Sequence, residues 1–240
     1  MPHRTFFISG ASKGIGLATA QRLAQQGHTV IGSARSEAGE DFPGHYFPCD
    51  LSDRKATDAL IEQISGEFKV DGVVNNVGLV KPAEVENITD ADLDAVLNVN
   101  IRTAIRFVQM ALPHMKEQQW GRIVNTTSIT ALGAPWRSSY SASKAALVGL
   151  TRTWALEFAQ DGITSNAVGP GPVDTELFRG ANPKGSASEQ RYINAIPMKR
   201  IGLTSEIAAS VAYFLSEDAG FTTGQTLYVD GGSSVGNAPD

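Results

Sequence analysis

Cysteine is almost missing from this chain: Cys49 is the single one in 240 residues, so no internal disulfide can form and nothing asks for an oxidising compartment. A reducing cytoplasm is the expected location. Histidine is scarce, and His3, His28, His45 and His114 are scattered without ligand spacing, so ordinary surface or loop positions are expected for them and no metal centre. Basic runs are also lacking. With 20 Lys plus Arg against 25 Asp plus Glu the formal charge is −5, which leaves no footprint for a phosphate backbone and excludes nucleic acid as an expected partner. No apolar run approaches the roughly 20 residues of a membrane span, and the stretch around Phe6, Phe7 and Ile8 is too short for a signal h-region. Neither membrane nor export is expected. What is present, 42% hydrophobic and 8% aromatic residues, suits an ordinary globular chain with a sizeable core.

The pattern along the chain is an alternation of short apolar runs with helical periodicities. Phe6–Ser9, His28–Ala34, His45–Phe47, Val70–Val74, Arg122–Thr127, Thr164–Val168 and Thr226–Val229 read as strands. Helical spacing covers Leu17–Ala24, stopped by Gly27, and then Ala56–Phe68, Asp90–Met115, Ser139–Gln160 and Ser205–Leu215. Ser36–Gly44 is polar and carries Gly39, Pro43 and Gly44, so a loop is expected in place of a crossover helix. Strand and helix alternating without hairpin signals predict a single α/β domain over residues 1–240, a Rossmann-type doubly wound parallel sheet flanked by helices.

Between the first strand and first helix runs Ser9-Gly10-Ala11-Ser12-Lys13-Gly14-Ile15-Gly16, at the place where such a sheet offers helix-terminal N–H groups to an anion. The glycines permit a tight turn, close backbone approach to a pyrophosphate and close helix–strand packing, although a plain turn would use them as well. The second strand ends Ala34-Arg35-Ser36, without the acid that would accept from an NAD ribose. Arg35, with Lys13 as a second cation, instead suits the 2′-phosphate of NADP. Further on, Tyr140 and Lys144 stand four residues apart, on one helix face, where a cation would lower the tyrosine pKa toward neutrality. Ser128 lies just past a strand end, at the carboxyl edge where these sheets bind ligands.

Taken in order, these motifs resemble the classical short-chain dehydrogenase/reductase family along nearly the whole chain. The family's glycine motif is similar to Ser9–Gly16, with Ser9 where Thr is usual, and its adenine-contacting acidic position to Asp50-Leu51. Its Asn-Asn-Ala-Gly is matched by Asn75-Asn76-Val77-Gly78, its relay asparagine by Asn100, and its catalytic set by Ser128, Tyr140 and Lys144. The segment that closes over nicotinamide resembles Pro170-Gly171 through Val173 and Thr175. Val77 is a departure that adds bulk beside the cofactor. The Ser128–Tyr140 gap, one residue shorter than the family often has, leaves Thr127 as the rival serine-site residue.

The resemblance implies an NADP(H)-dependent oxidoreductase acting on a carbonyl or secondary alcohol. Ser128 orients the substrate oxygen, Tyr140 exchanges its proton, Lys144 holds the nicotinamide ribose and supports the tyrosine, and Asn100 holds a water. It also implies a homotetramer built on the two long helices, whose Ile105, Val108, Leu147, Leu150 and Trp154 are expected to be incompletely covered. A 3-oxoacyl-carrier-protein reductase is an alternative; Arg122 is available for an acidic carrier, while Asp161 stands where a base is usual. A catalytically silent dinucleotide sensor is the other. Phe178–Arg191 is either a mobile lid or a surface loop, and Val80, Leu132, Trp136 and Phe178 are either pocket lining or core.

Overall fold

In a computed structural model, which describes residues 2–37 and 39–236, seven strands form one all-parallel sheet. They are β1 (Thr5–Ser9), β2 (Thr29–Ala34), β3 (His45–Pro48), β4 (Gly72–Asn75), β5 (Gly121–Thr126), β6 (Ile163–Pro170) and β7 (Thr226–Val229), in the spatial order β3-β2-β1-β4-β5-β6-β7. The strand order reverses between β1 and β4, so the crevice at their carboxyl ends is the topological switch point where such sheets take ligands.

Both faces of the sheet are covered, which is why the strands read as continuous apolar runs and not as alternation. On one face Phe7, Val73 and Ile123 meet α2 (Arg54–Glu67), α4 (Thr103–Glu117) and α5 (Ser138–Phe158) through Leu60, Ile64, Phe107, Met115 and Leu147. On the other, Phe6, Ile8, Val74 and Val124 meet α1 (Gly14–Gln25) and α8 (Thr204–Leu215) through Ala20, Leu23, Ile207 and Phe214. Phe107 packs on Phe7 with ring centroids 4.5 Å apart, and truncating such a buried ring to alanine costs about 3–5 kcal/mol. The loop after β2 is helix-free among its described residues. Phe42 folds back so closely over Gly32 that a Cβ there would lie 2.3 Å from the ring.

Several boundaries differ from the sequence expectation. The stretch Asp90–Met115 is not one helix: α3 (Asp90–Leu97) passes through a π-turn at Asn98–Arg102 before α4 begins. Widened turns of this kind recur at functional sites. Residues 178–191 are not a plain loop, because α6 (Glu176–Ala181) and α7 (Ala187–Ala195) occupy most of them. Each is started by a side-chain cap, Thr175 accepting from the Phe178 N–H and Ser186 from that of Glu189. The Ser186-x-x-Glu189 spacing is a legible helix start that periodicity alone passes over.

Val108, Leu147 and Trp154 are buried by their own chain, with Ile105 and Leu150 packed partly against the same core. The incomplete coverage expected of the five therefore fails for Val108, Leu147 and Trp154 and holds for Ile105 and Leu150, which stay partly exposed. Among the described residues, no helix is long and apolar enough to cross a membrane.

Candidate active site

The crevice is built by fastening the β1 loop to the β4 loop. Ser9 Oγ accepts from the backbone N–H groups of Asn76 and Val77 at 3.1 and 3.2 Å, and Asn76 Nδ2 donates to the carbonyls of Ser9 and Gly10 at 3.2 and 3.0 Å. A side chain on Gly16 would sit 2.2 Å from the Gly10 carbonyl, and one on Gly10, at φ +69°, 3.0 Å from Val77 Cα. Only glycine allows this approach. Gly14 faces Thr175, whose Cγ2 a Cβ would meet at 3.4 Å, so the loop after β6 seats directly on the glycine loop. Gly171 N–H donates to the Val229 carbonyl, and buried Pro170 and Val173 hold that loop to the sheet and to Gly202.

Where the resemblance expects the adenosine, Ser12, Arg35 and Asp50 lie near the carboxyl end of β2. Arg35 is exposed at the end of β2 and draws the Asp50 carboxyl down, adding to the stronger effect of hydrogen bonds from Ser52. Leu51 is buried in the core, so only its backbone can face a ligand. Tyr46, which the motifs do not mark, donates its hydroxyl to the Ser36 carbonyl at 2.7 Å and lies beside Ser12. Lys13 is not aimed at these residues; its ammonium pairs with Glu176 on α6.

At the other end α5 carries the catalytic candidates. Lys144 is 2% exposed, and among the described residues its ammonium has one hydrogen bond, to the Thr126 carbonyl at 2.7 Å. Burial without an acidic partner pulls it down to about 8. A Cβ on Gly78 would lie 3.6 Å from that ammonium, so the remaining donors open toward the β4 loop. Ser128 Oγ accepts from Thr130 N–H at 3.1 Å and stands beside Tyr140. Thr127, by contrast, is buried with its hydroxyl donating to the Val168 carbonyl at 3.1 Å, which takes it out of the crevice.

Two expectations are corrected here. The neighbouring ammonium does not bring Tyr140 toward neutrality: burial pushes the phenol up to about 12, against the opposing pull of Ser128 and Arg137. Lys144 Nζ is 5.6 Å from the tyrosine ring centroid and directed at Thr126, so desolvation dominates. Arg122 is not available to a carrier. It is 3% exposed at the opposite edge of the sheet, donating to the Ser216 and Gly121 carbonyls at 3.1 and 2.9 Å and lying 4.3 Å over the Trp120 ring.

Asn100 comes off the π-turn with both amide hydrogens donated and one bond accepted. It accepts from Leu79 N–H at 2.7 Å and donates to the Leu79 carbonyl and to Ser143 Oγ, tying the β4 loop to α5. Below it runs a buried relay that the motifs do not reveal. Asn75 Nδ2 donates to Asn125 Oδ1 at 2.9 Å, and Asn125 Nδ2 to Thr151 Oγ1 at 2.8 Å, joining β4, β5 and α5. Polar residues inside otherwise apolar strands were its only sequence signal. Of the suggested pocket residues, Leu132 and Trp136 are exposed on the loop before α5, and Phe178 stacks edge-on to Tyr192. The two described cavities, of about 360 and 370 Å³, lie between α2 and α4 and between α1 and α6, away from Ser128 and Tyr140.

Comparison with known proteins bears on the family and the fold. Residues 10–234 match the family model described as enoyl-(acyl carrier protein) reductase. The 3-oxoacyl-(acyl-carrier-protein) reductase of Thermotoga maritima is 34% identical over 237 residues, covering 94% of this chain and 95% of that protein. The ligand-free aldohexose dehydrogenase of Thermoplasma acidophilum superposes with a TM-score of 0.91 at 31% identity, over 99% of this chain and 96% of the other. An NADPH-dependent reductase involved in bacilysin biosynthesis does so at 0.87 and 27% identity, over 97% and 98%. By sequence match along nearly its full length and by the fold that carries it, the chain belongs to the short-chain dehydrogenase/reductase family of oxidoreductases.

Proposed function

We propose that the chain is an NADP(H)-dependent reductase of a small carbonyl compound, or in the reverse direction a dehydrogenase of the secondary alcohol. The observation that carries this reading is the buried Lys144 ammonium, which has one protein hydrogen bond and opens toward Gly78. A buried cation short of partners is strained unless a ligand completes it. A dinucleotide suits the crevice: Gly10 and Gly16 let the β1 and β4 loops lock together at the topological switch point, and Arg35 is exposed where a 2′-phosphate would sit. Ser12, Ile15, Asp50, the Leu51 backbone, Asn76, Val77, Gly78, Pro170, Gly171, Val173 and Thr175 line its course.

When bound, the nicotinamide supplies or takes up the hydride. The chain handles the proton and the oxygen. Ser128 Oγ orients the substrate oxygen by donating to it, and Tyr140, a neutral phenol well below its pKa of about 12, enters the reduction as the acid. Lys144 donates to the nicotinamide ribose and favours the phenolate left behind. Asn100, both of whose amide hydrogens are already donated, would hold the water that returns the proton through an oxygen.

A panel of ketones, aldehydes and sugars with NADPH and NADH tests the reading. Oxidation of NADPH with at least one carbonyl substrate supports it. Tight binding of NADPH with turnover of none favours a sensor. Arg35→Asp should reverse cofactor preference, since a charge-assisted bond to phosphate contributes about 1.5–3 kcal/mol. The second reading, a carrier-bound 3-oxoacyl substrate, has the support of the Thermotoga maritima relative. Against it stand the burial of Arg122 and the pairing of Asp161 with Lys116 at 3.3 Å. Assays of one 3-oxoacyl chain as carrier thioester and as small-thiol ester separate the two.

The proposal extends to a homotetramer in a reducing cytoplasm. Exposed Leu156, Tyr213 and Phe221 and the unpaired edge of β7 support association, and light scattering at micromolar concentration tests it.

A further inference from the structure

Lys13 has two claimants. Its place in the glycine loop, one residue before Gly14, suits the 2′-phosphate side of a dinucleotide, yet its ammonium is bonded to the carboxylate of Glu176 in the first turn of α6. Each is the other's sole charged partner among the described residues. The next cation along, Arg179, is spent elsewhere: its Nε donates to Asp174, and its Nη1 donates to Glu189 and to the Asn182 carbonyl. Glu176 therefore depends on Lys13.

We infer that Glu176 is a cofactor-specificity residue, which competes with the 2′-phosphate of NADP(H) for the Lys13 ammonium and so weakens binding of the phosphorylated cofactor alone. The inference rests on the reading of Lys13 and Arg35 as the 2′-phosphate site. Two structural features make the competition direct. Thr175 packs on Gly14, which fixes the start of α6 against the glycine loop and keeps Glu176 within reach. Arg179 binds residues on both sides of α6 to one another, so the segment behaves as a unit whose charged link to the glycine loop is the Lys13–Glu176 pair. A cofactor without the 2′-phosphate makes no claim on Lys13 and leaves that pair intact.

The pair is exposed, so the effect is modest. Exposed ion pairs contribute about 0.2–1 kcal/mol, which corresponds to a roughly 1.4- to 5-fold change in affinity. The test is a double-mutant cycle on Kd for NADPH and NADH, read by cofactor fluorescence on the full chain at low ionic strength. Glu176→Gln should tighten NADPH about two- to fivefold and leave NADH unchanged. In a Lys13→Gln background the same change should leave both cofactors unchanged, because the contested ammonium is gone.

Three results overturn the inference, and they differ. Equal tightening of NADPH and NADH would make Glu176 a general repulsive charge. Tightening of NADPH that persists without Lys13 would place the repulsion directly between carboxylate and phosphate. If Lys13→Gln weakens NADPH about tenfold or more while Glu176→Gln does nothing, Lys13 is a phosphate ligand but Glu176 does not compete for it. Should Lys13→Gln and Arg35→Gln both leave NADPH affinity intact, the underlying reading of the 2′-phosphate site fails instead, and this inference with it.

Discussion

Two cations are buried among the described residues, at opposite edges of one sheet, and they are treated in opposite ways. Arg122, at the amino edge, is surrounded: carbonyls of Ser216 and Gly121 accept from it, the Trp120 ring lies beneath it, and Glu217 approaches to 3.9 Å. Lys144, at the carboxyl edge, has the Thr126 carbonyl and no acid. Both are pulled down by burial, but for Arg122 a carboxylate opposes the shift, whereas for Lys144 nothing does and the value falls to about 8. A buried charge that the protein completes is part of the architecture. One that it leaves incomplete marks the place where a ligand is expected.

The largest effect that sharpens this contrast lies beside Lys144. Tyr140→Phe removes one hydroxyl and keeps the ring, so kcat should fall by about 10²- to 10⁴-fold while NADPH affinity stays within about twofold. Unchanged turnover would remove the acid from the account. A conservative aromatic change near Arg122, Trp120→Phe, should leave turnover alone and lower thermal stability, because it deletes the Nε1–H bond to Glu217 and trims the surface under two guanidinium groups.

Next in size is the buried relay that holds α5 against the sheet. Thr151→Val keeps the shape but leaves Asn125 Nδ2 without its acceptor, a loss of about 1–3 kcal/mol in urea unfolding. Thr151→Ser should restore most of it. If both variants unfold like the unmodified chain, the relay does not carry the load assigned to it.

A smaller, signed effect comes from pH. The folded Lys144 value lies near 8 and its ordinary value is 10.5, so between those limits the unfolded chain binds a proton that the folded chain has released. Stability of the cofactor-free chain should therefore rise through this group as pH goes from about 8 toward 10. Tyr140, raised from 10 to about 12, acts in the reverse sense above pH 10. Urea midpoints measured from pH 7 to 10 should show the rise in the unmodified chain and not in Lys144→Met. The Arg122 edge contributes no such slope, since arginine stays protonated throughout this range.

The two edges also differ in how far they could be read from sequence. The carboxyl edge announces itself because ligand-facing backbone needs particular residues close together in the chain: Gly10, Gly14 and Gly16 in one loop, Tyr140 and Lys144 on one helix face. The doubly wound parallel sheet followed from the alternation of strand and helix. What escaped reading depends on partners distant in sequence. Nothing local says that Asn125 faces both Asn75 and Thr151, that Asn100 turns off a π-turn into Ser143, or that Arg122 is caged and not at a surface. The sign of the Tyr140 shift was missed for a related reason, since proximity of a cation is legible in the spacing and desolvation is not. The helices within 178–191 were not foreseen for another reason, being short and begun by caps at Thr175 and Ser186 and not by apolar periodicity.

The contrast between the two buried cations is tested most directly by crossing two readouts on matched variants. Lys144→Met and Arg122→Met each remove a buried charge and keep an unbranched side chain, and each is measured for NADPH Kd and for urea stability at pH 7. Lys144→Met should weaken NADPH by about tenfold or more with stability held or raised, because the folded chain no longer carries an incompletely bonded ammonium. Arg122→Met should lose about 1–3 kcal/mol of stability, through carbonyls left without a donor, and bind NADPH as before. If instead Lys144→Met binds NADPH normally, or Arg122→Met loses cofactor while keeping its stability, then the incomplete cation is not the ligand-binding one and the assignment of the site is wrong.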